Sequence, residues 1–257
     1  MDDGTGEGSA MRVTWATDEG DPRRGNEDFV AAAPGAAVVL DGCGLALGTD
    51  LGCVHGTAWY SRSLGTRLLA RMLDGSGPPA GPPVGPPEGA HVRAGRPLVG
   101  RLAGAIADVA AAHRATCDLT VPTTPAATVV AVRVRGDVLD YLVLADSTLL
   151  LDCRDGLREI TGGRCWAGSD PAGAENAITG TVPLRDVRHA LLLTDGATRL
   201  ADRFGVTDRA GLARLAVESG PAALVERTRE VERTDPGAVR WPRGKPHDDA
   251  TAAVCAF

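Results

Sequence analysis

The chain has 257 residues, 44% hydrophobic and 23% charged, as expected of a soluble globular protein with one sizeable core. A net charge of -6, with no basic stripe interleaved with aromatics, excludes a general nucleic-acid or anionic-membrane binder. No apolar run approaches the roughly 20 residues of a membrane span, and six cysteines without a CxxC pair or zinc-finger spacing point to a reducing, cytoplasmic setting.

The acidic, glycine-rich first ten residues read as a disordered tail, and residues 11–257 as a single domain. Apolar runs at 12–16, 29–33 and 36–40 predict three strands. Apolar positions then recur every three or four residues from Val54 through Leu64, Leu68 and Met72, which predicts a helix over 53–73. Three Gly-Pro-Pro triplets exclude helix and central strand and make residues 74–96 a loop insertion. A second helix is predicted over 98–116, with His113 beside its apolar face as a core histidine. Four strands follow at 127–134, 138–144, 149–152 and 157–160, joined by short hairpin-type turns. Residues 161–188 are glycine-rich and weakly patterned, and read as a flap or loop; 190–193 is a buried strand. Thr207 is the expected N-cap of a helix over 208–218, and Pro221 suits the first position of a helix over 221–233. On that last helix Glu226 and Arg229, and Glu230 and Arg233, read as solvated surface pairs. A strand at 250–256 closes an α+β fold in which helices cover sheet faces.

Acidic residues punctuate the ends of these strands: Asp28, Asp41, Asp146, Asp195 and Asp248. Two carboxylates about 4 Å apart repel by on the order of 4 kcal/mol at an effective dielectric of 20. If these five converge, their all-oxygen donor set suits Mg²⁺ or Mn²⁺.

The segment Arg23-Arg24-Gly25-Asn26-Glu27-Asp28 resembles the R-x-x-N-E-D signature of the metal-dependent (type 2C) serine/threonine protein phosphatases. Asp41-Gly42-Cys43-Gly44 resembles their D-G-x-G motif, Ala145-Asp146-Ser147 their G-D-S motif and Thr194-Asp195-Gly196 their T-D-G motif. Asp248-Asp249-Ala250-Thr251 resembles their D-D/N-x-T motif. The five motifs occur in the family's order and span residues 23–254.

The resemblance implies a β-sandwich of two antiparallel sheets flanked by pairs of helices, with a binuclear metal site at one end. It implies that Asp41 bridges two Mn²⁺ or Mg²⁺ ions, with the Gly42 carbonyl in one shell. Asp195 and Asp248 would hold the first ion, and Glu27 or Asp28 the second; Asp146 with Asp195 would form a weaker third site. Arg23 would grip the substrate phosphate. The implied reaction is in-line attack of a metal-bridging water on phosphoserine or phosphothreonine, with a phosphoprotein as substrate and a cognate kinase as partner.

The chain departs from the pattern at Cys43, where some members carry a histidine, at Leu45, and at Ala145 and Thr148 in place of the glycine and arginine of G-D-S-R. The general acid is unassigned, with a metal-bound water, His55 and His247 as candidates. Two other readings stand beside the metal enzyme. One is a phosphatase-like regulatory module that binds a phosphoprotein without turnover. The other is a Cys43 nucleophile, which lacks a phosphate-cradling loop because residues 45–51 contain no basic side chain.

Overall fold

Two five-stranded antiparallel sheets face each other in a computed structural model that describes residues 11–46, 48–74, 96–163 and 166–257. The predicted tail at 1–10 and residues 75–95 of the Gly-Pro-Pro insertion lie outside the described residues. One sheet runs β1 (Arg12–Asp18), β10 (Ala250–Ala256), β9 (Val187–Leu193), β6 (Thr148–Cys153), β7 (Gly156–Thr161). The other runs β2 (Phe29–Ala33), β3 (Ala36–Leu40), β4 (Val129–Arg135), β5 (Val138–Leu144), β8 (Ile178–Pro183). Helices α1 (Thr57–Leu73) and α2 (Arg96–His113) cover the second sheet; α3 (Asp195–Asp202), α4 (Arg209–Glu218) and α5 (Pro221–Arg233) cover the first.

Continuous apolar strands mark the layers. In β3, Ala36, Val38 and Leu40 pack beneath α1 and α2, while Ala37 and Val39 point between the sheets. In β9, Ala190 and Leu192 face the other sheet, and Leu191 and Leu193 face the helices. Both faces of these strands are buried, so strict alternation disappears from the sequence. Each fully buried Val or Leu contributes about 1.5–3 kcal/mol relative to exposure.

Four features correct the sequence expectations. The region 161–188 is not only loop: it contains β8, which pairs along β5 from Val138↔Pro183 to Val143↔Ile178. An eight-residue helix, α3, starts at Asp195. The N-cap of α4 is Asp208, whose carboxylate accepts from the Gly211 N–H at 2.7 Å, rather than Thr207. The charges of α5 are not all solvated: Arg229 is buried and pairs with Asp18 and Glu232, because it shares the inward face with Val225 and Glu232.

Candidate metal centre

Antiparallel register determines where the acidic residues emerge. Phe29 pairs with Leu40, Val129 with Leu144, and Thr148 with Leu193. Asp28 before β2, Asp41 after β3, Asp146 in the β5–β6 turn and Asp195 after β9 therefore share one end of the sandwich. Ala252 pairs with Leu193, which brings Asp248 and Asp249 to the same end. The charges of Asp28, Asp195, Asp248 and Asp146 all bear on Asp41.

Local bonds hold these turns. The Asp41 N–H donates to Thr128 Oγ1 at 3.1 Å, the Thr128 N–H donates to the Asp41 carbonyl at 2.8 Å, and Thr128 Oγ1 lies 2.5 Å from Ser147 Oγ. The Asp41 turn and the Asp146-Ser147 turn are thus coupled through hydroxyls. Gly42 is required by space: a Cβ there would stand 2.6 Å from the Glu27 carbonyl oxygen and 2.7 Å from Thr57 Cγ2. At Gly196 a Cβ would overlap the Asp249 carbonyl oxygen. Ala145 holds the left-handed φ of 68° that glycine would take in G-D-S, so the alanine carries that backbone at some strain.

Asp28 is buried. Thr194 Oγ1 donates to its Oδ2 at 2.9 Å, and the Thr251 N–H supports Thr194 Oγ1 at 2.9 Å. Its other oxygen, Oδ1, is buried with no hydrogen-bond partner. Burial, then the charges of Asp249 and Asp195, push the Asp28 pKa up to about 8. Burial and the surrounding aspartates hold Asp41 well above the carboxylate range. Asp195 opens toward solvent, yet close protein packing and Asp248 raise it to about 6. An orphaned buried oxygen amid mutually repelling carboxylates fits a hard divalent cation, Mg²⁺ or Mn²⁺. Among the described residues, however, no three of these carboxylates bring ligand atoms within 4.8 Å of one another. Among the described residues, the group whose ligand atoms all lie within 4.8 Å of one another is Cys53, His113 and Cys117.

Cations rim the acidic end. Asp248 accepts from Arg199 Nη2 and Lys245 Nζ, each at 2.7 Å. Burial opposes the charge on Lys245, but Asp248 and Glu27 outweigh it and raise its pKa. Arg24 sits 3.5 Å from Glu27 and donates to the Leu45 carbonyl, whereas Arg23 is 78% exposed at the side chain and forks onto Asp21. Glu27 is buried, and burial raises its pKa against the pull of Arg24 and Lys245. A cavity of about 380 Å³ lined by Gly20, Asp21, Arg23, Arg24, Lys245 and His247 opens here. An apolar cavity of about 470 Å³, lined by Met11, Val13, Leu184 and Phe257 among others, lies at the opposite end of the sandwich and contains none of these groups.

Asp249 is the carboxylate at this end that the motif reading left without a role. Its two oxygens accept from the Gly20 and Glu27 N–H groups, each at 2.8 Å, so it fixes the backbone that carries Glu27 and Asp28. The pairing of Asp248 with Arg199 was likewise invisible in sequence. Cys43 is close to the carboxylates; burial, then Asp41, Asp146, Asp195 and Glu27, hold its thiol well above the usual range, so the proton stays on. His247 Nδ1 lies 2.8 Å from Glu232 Oε2 near the basic cavity. His55 stacks on Trp59 and lies 3.3 Å from Thr116 Oγ1.

Neither a protein-family model nor a curated protein sequence matches the chain. Solved structures do match. The catalytic domain of the serine/threonine protein phosphatase PstP, in complex with 2 manganese ions, aligns with a TM-score of 0.58 at 19% identity, covering 96% of this chain and 98% of that one. The serine/threonine phosphatase Stp1 from Staphylococcus aureus aligns at 0.60 and 15% identity, covering 96% and 95%. PppA, a regulatory component of the T6SS in Pseudomonas aeruginosa, aligns at 0.55 and 21% identity, covering 97% and 99%. No helix among the described residues is long and apolar enough to cross a membrane. The two-sheet sandwich, its flanking helices and these full-length alignments show that the chain has the fold of the metal-dependent, type 2C serine/threonine phosphatases.

Proposed function

We propose that the chain is a Mg²⁺- or Mn²⁺-dependent phosphatase acting on phosphoserine or phosphothreonine in proteins of the cytoplasm, opposite a cognate kinase. The observation that carries this reading is the Asp28 carboxylate, buried beside Asp41 and Asp195 with one oxygen lacking any partner. In the proposal Asp41, the Gly42 carbonyl, Glu27, Asp28, Asp195 and Asp248 hold two ions, and Asp146 with Asp195 a third. When bound, such ions lower the pKa of a water and neutralise charge on the phosphoryl group. The chain's own residues do the rest. Asp249 fixes the Glu27–Asp28 backbone, while Arg24 and Lys245, with Arg23 at the rim, offer donors to the phosphate oxygens. Without metal, burial and the neighbouring carboxylates disfavour the Cys43 thiolate that a nucleophile would require.

The double pairing of Asp248 with Arg199 and Lys245 favours a second reading. Cations that occupy a ligand carboxylate weaken its hold on a metal, leaving a module that binds phosphoproteins without turnover.

Hydrolysis of p-nitrophenyl phosphate with Mn²⁺, Mg²⁺ or EDTA separates the two. Metal-dependent turnover is expected, and Asp41→Asn and Asp195→Asn should each lose more than the roughly 10–100-fold that removing an outer partner costs. A folded chain inactive with both metals would establish the binding module instead. EDTA-resistant turnover abolished by Cys43→Ser would overturn the metal chemistry.

A further inference from the structure

The segment from 48 to 56, which leads from the Asp41–Gly44 turn into α1, packs on the C-terminal end of α2. The Asp118 N–H donates to the Gly52 carbonyl at 2.7 Å, and Thr123 Oγ1 donates to the Asp50 carbonyl at 2.6 Å. Between these contacts lie three soft ligands. Cys53 Sγ is 3.3 Å from Cys117 Sγ and 3.6 Å from His113 Nδ1. Around a tetrahedral zinc with bonds of about 2.3 Å to sulfur and about 2.1 Å to nitrogen, ligand atoms stand roughly 3.5–3.8 Å apart. The Cys53–His113 separation matches that spacing, the Cys53–Cys117 separation is about half an ångström shorter, and all three ligand atoms lie within 4.8 Å of one another.

His113 is poorly served as a core histidine. It is 1% exposed, its Nε2 has no hydrogen-bond partner, and its Nδ1 has only a thiol in reach. A metal bond at Nδ1 would replace a weak thiol contact with a full partner for that nitrogen, while Nε2 would keep its proton and remain unpaired. Burial also lowers the His113 pKa, which keeps the ring in the neutral, ligating form. Cys117 lies in the turn that follows α2, where its N–H donates to the His113 carbonyl at 2.9 Å and so brings it back beside that residue. Trp59 walls the group, its ring 5.1 Å from that of His113.

We infer that Cys53, His113 and Cys117 form a Cys₂His site for a thiophilic tetrahedral ion, Zn²⁺, distinct from the carboxylate centre and with water in the fourth position. Two thiolates and a neutral imidazole balance the charge of a divalent ion. The site would tie the segment that follows Asp41 to the end of α2 while leaving one coordination position open to water.

Cobalt substitution tests this without reference to phosphatase activity. Protein isolated under reducing conditions without chelator should carry zinc at about one ion per chain, as a single Cys₂His site would hold. After replacement by Co²⁺, a thiolate-to-cobalt charge-transfer band and intense tetrahedral d–d bands are expected. The oxygen ligands of the carboxylate centre cannot produce the charge-transfer band, so it survives Asp41→Asn and excess Mn²⁺. Cys53→Ser and Cys117→Ser should each abolish it, with folding checked by circular dichroism, while Cys43→Ser should retain it. Absence of the band in folded wild-type protein overturns the site, as does its survival in both Cys53→Ser and Cys117→Ser. Isolation of the reduced preparation with Cys53 and Cys117 already cross-linked would also overturn it, in favour of a thiol pair.

Discussion

Asp249 carries more of the centre than its place beside a candidate ligand suggests. It accepts two backbone N–H groups from the strand-to-strand segment that bears Glu27 and Asp28, and it is 9% exposed. Truncation leaves both donors without their acceptor, and each such loss costs about 1–3 kcal/mol. Asp249→Ala is therefore expected to destabilise the chain by about 2–6 kcal/mol in urea unfolding. It should also weaken Mn²⁺ binding about 10–100-fold, as removal of outer-sphere support does. Asp249→Asn keeps one acceptor and should fall between. A loss of stability with unchanged Mn²⁺ affinity would make Asp249 purely structural. Arg23 and Arg24 give a second comparison at this scale. Arg23 forks onto Asp21 at the surface, whereas Arg24 lies against Glu27 and beside Lys245. If both reach phosphate, the one held beside Glu27, with its side chain mostly buried, contributes more than the exposed one. Arg24→Ala should raise KM for a phosphopeptide by about tenfold or more, the worth of a charge-assisted hydrogen bond, and Arg23→Ala by less. The reverse order would return the phosphate-gripping role to Arg23.

At the scale of elements, α5 joins β1 and α3 through a buried ionic chain. Glu232, 0% exposed, accepts from Arg199 Nη1 at 2.7 Å and Arg229 Nη1 at 2.8 Å; Arg229 Nε reaches Asp18 at 2.6 Å. Arg199 then extends to Asp248. Glu232→Gln leaves two buried guanidinium groups undercompensated, so a loss of about 3–5 kcal/mol is expected, whereas Glu226→Gln on the exposed face should cost less than about 1 kcal/mol. Equal small effects in denaturant titrations would mean that the network is solvated. Sequence showed little of this, because spacing on a helix defines faces without saying which face turns inward. It showed much else. The strands at 29–33, 36–40, 138–144 and 250–256, and the helix at 221–233, match their predicted limits because apolar runs end at abrupt turn or charge signals. β8 was illegible: ITGTVP is a sheet-edge strand, paired on one side only and interrupted by Gly180 and Pro183. The acidic residues stood out through their repeated place at strand ends. The partners of Asp249 lie 222 and 229 residues away, and Cys53 lies 64 from Cys117, distances that no local pattern encodes.

For the whole molecule, the crowding of carboxylates at one end makes stability depend on pH and on metal together. Asp28 is raised to about 8 and Asp195 to about 6, both first by burial and then by neighbouring charge, and Asp41 is likewise held well above the carboxylate range. In the unfolded chain these groups titrate at about 4. Between that value and their folded pKa values, the folded state without metal binds protons that the unfolded state has released, so its stability is full below about pH 4 and declines as pH rises through about 6 and about 8. Other groups act in the opposite sense at the acid end; Asp140, held below its ordinary value by Arg135, Thr181 and Arg133 despite its burial, loses stabilisation as pH falls. The melting temperature of chelated protein should therefore pass through a maximum in mildly acid solution and fall toward pH 8. A divalent ion replaces the displaced protons, so the rise in melting temperature on adding Mn²⁺ should grow across the same window, with protons released on binding. Differential scanning calorimetry from about pH 5 to about pH 8, with Mn²⁺ and with EDTA, measures both. Carboxylates that were well solvated and ionised in the metal-free fold would give parallel curves and no proton release. Asp41→Asn provides the internal control: removing one of the crowded charges should flatten the alkaline decline of the chelated protein while abolishing most of the stabilisation by Mn²⁺. Those opposite effects on the two curves distinguish a site built to be completed by a cation from a merely acidic surface.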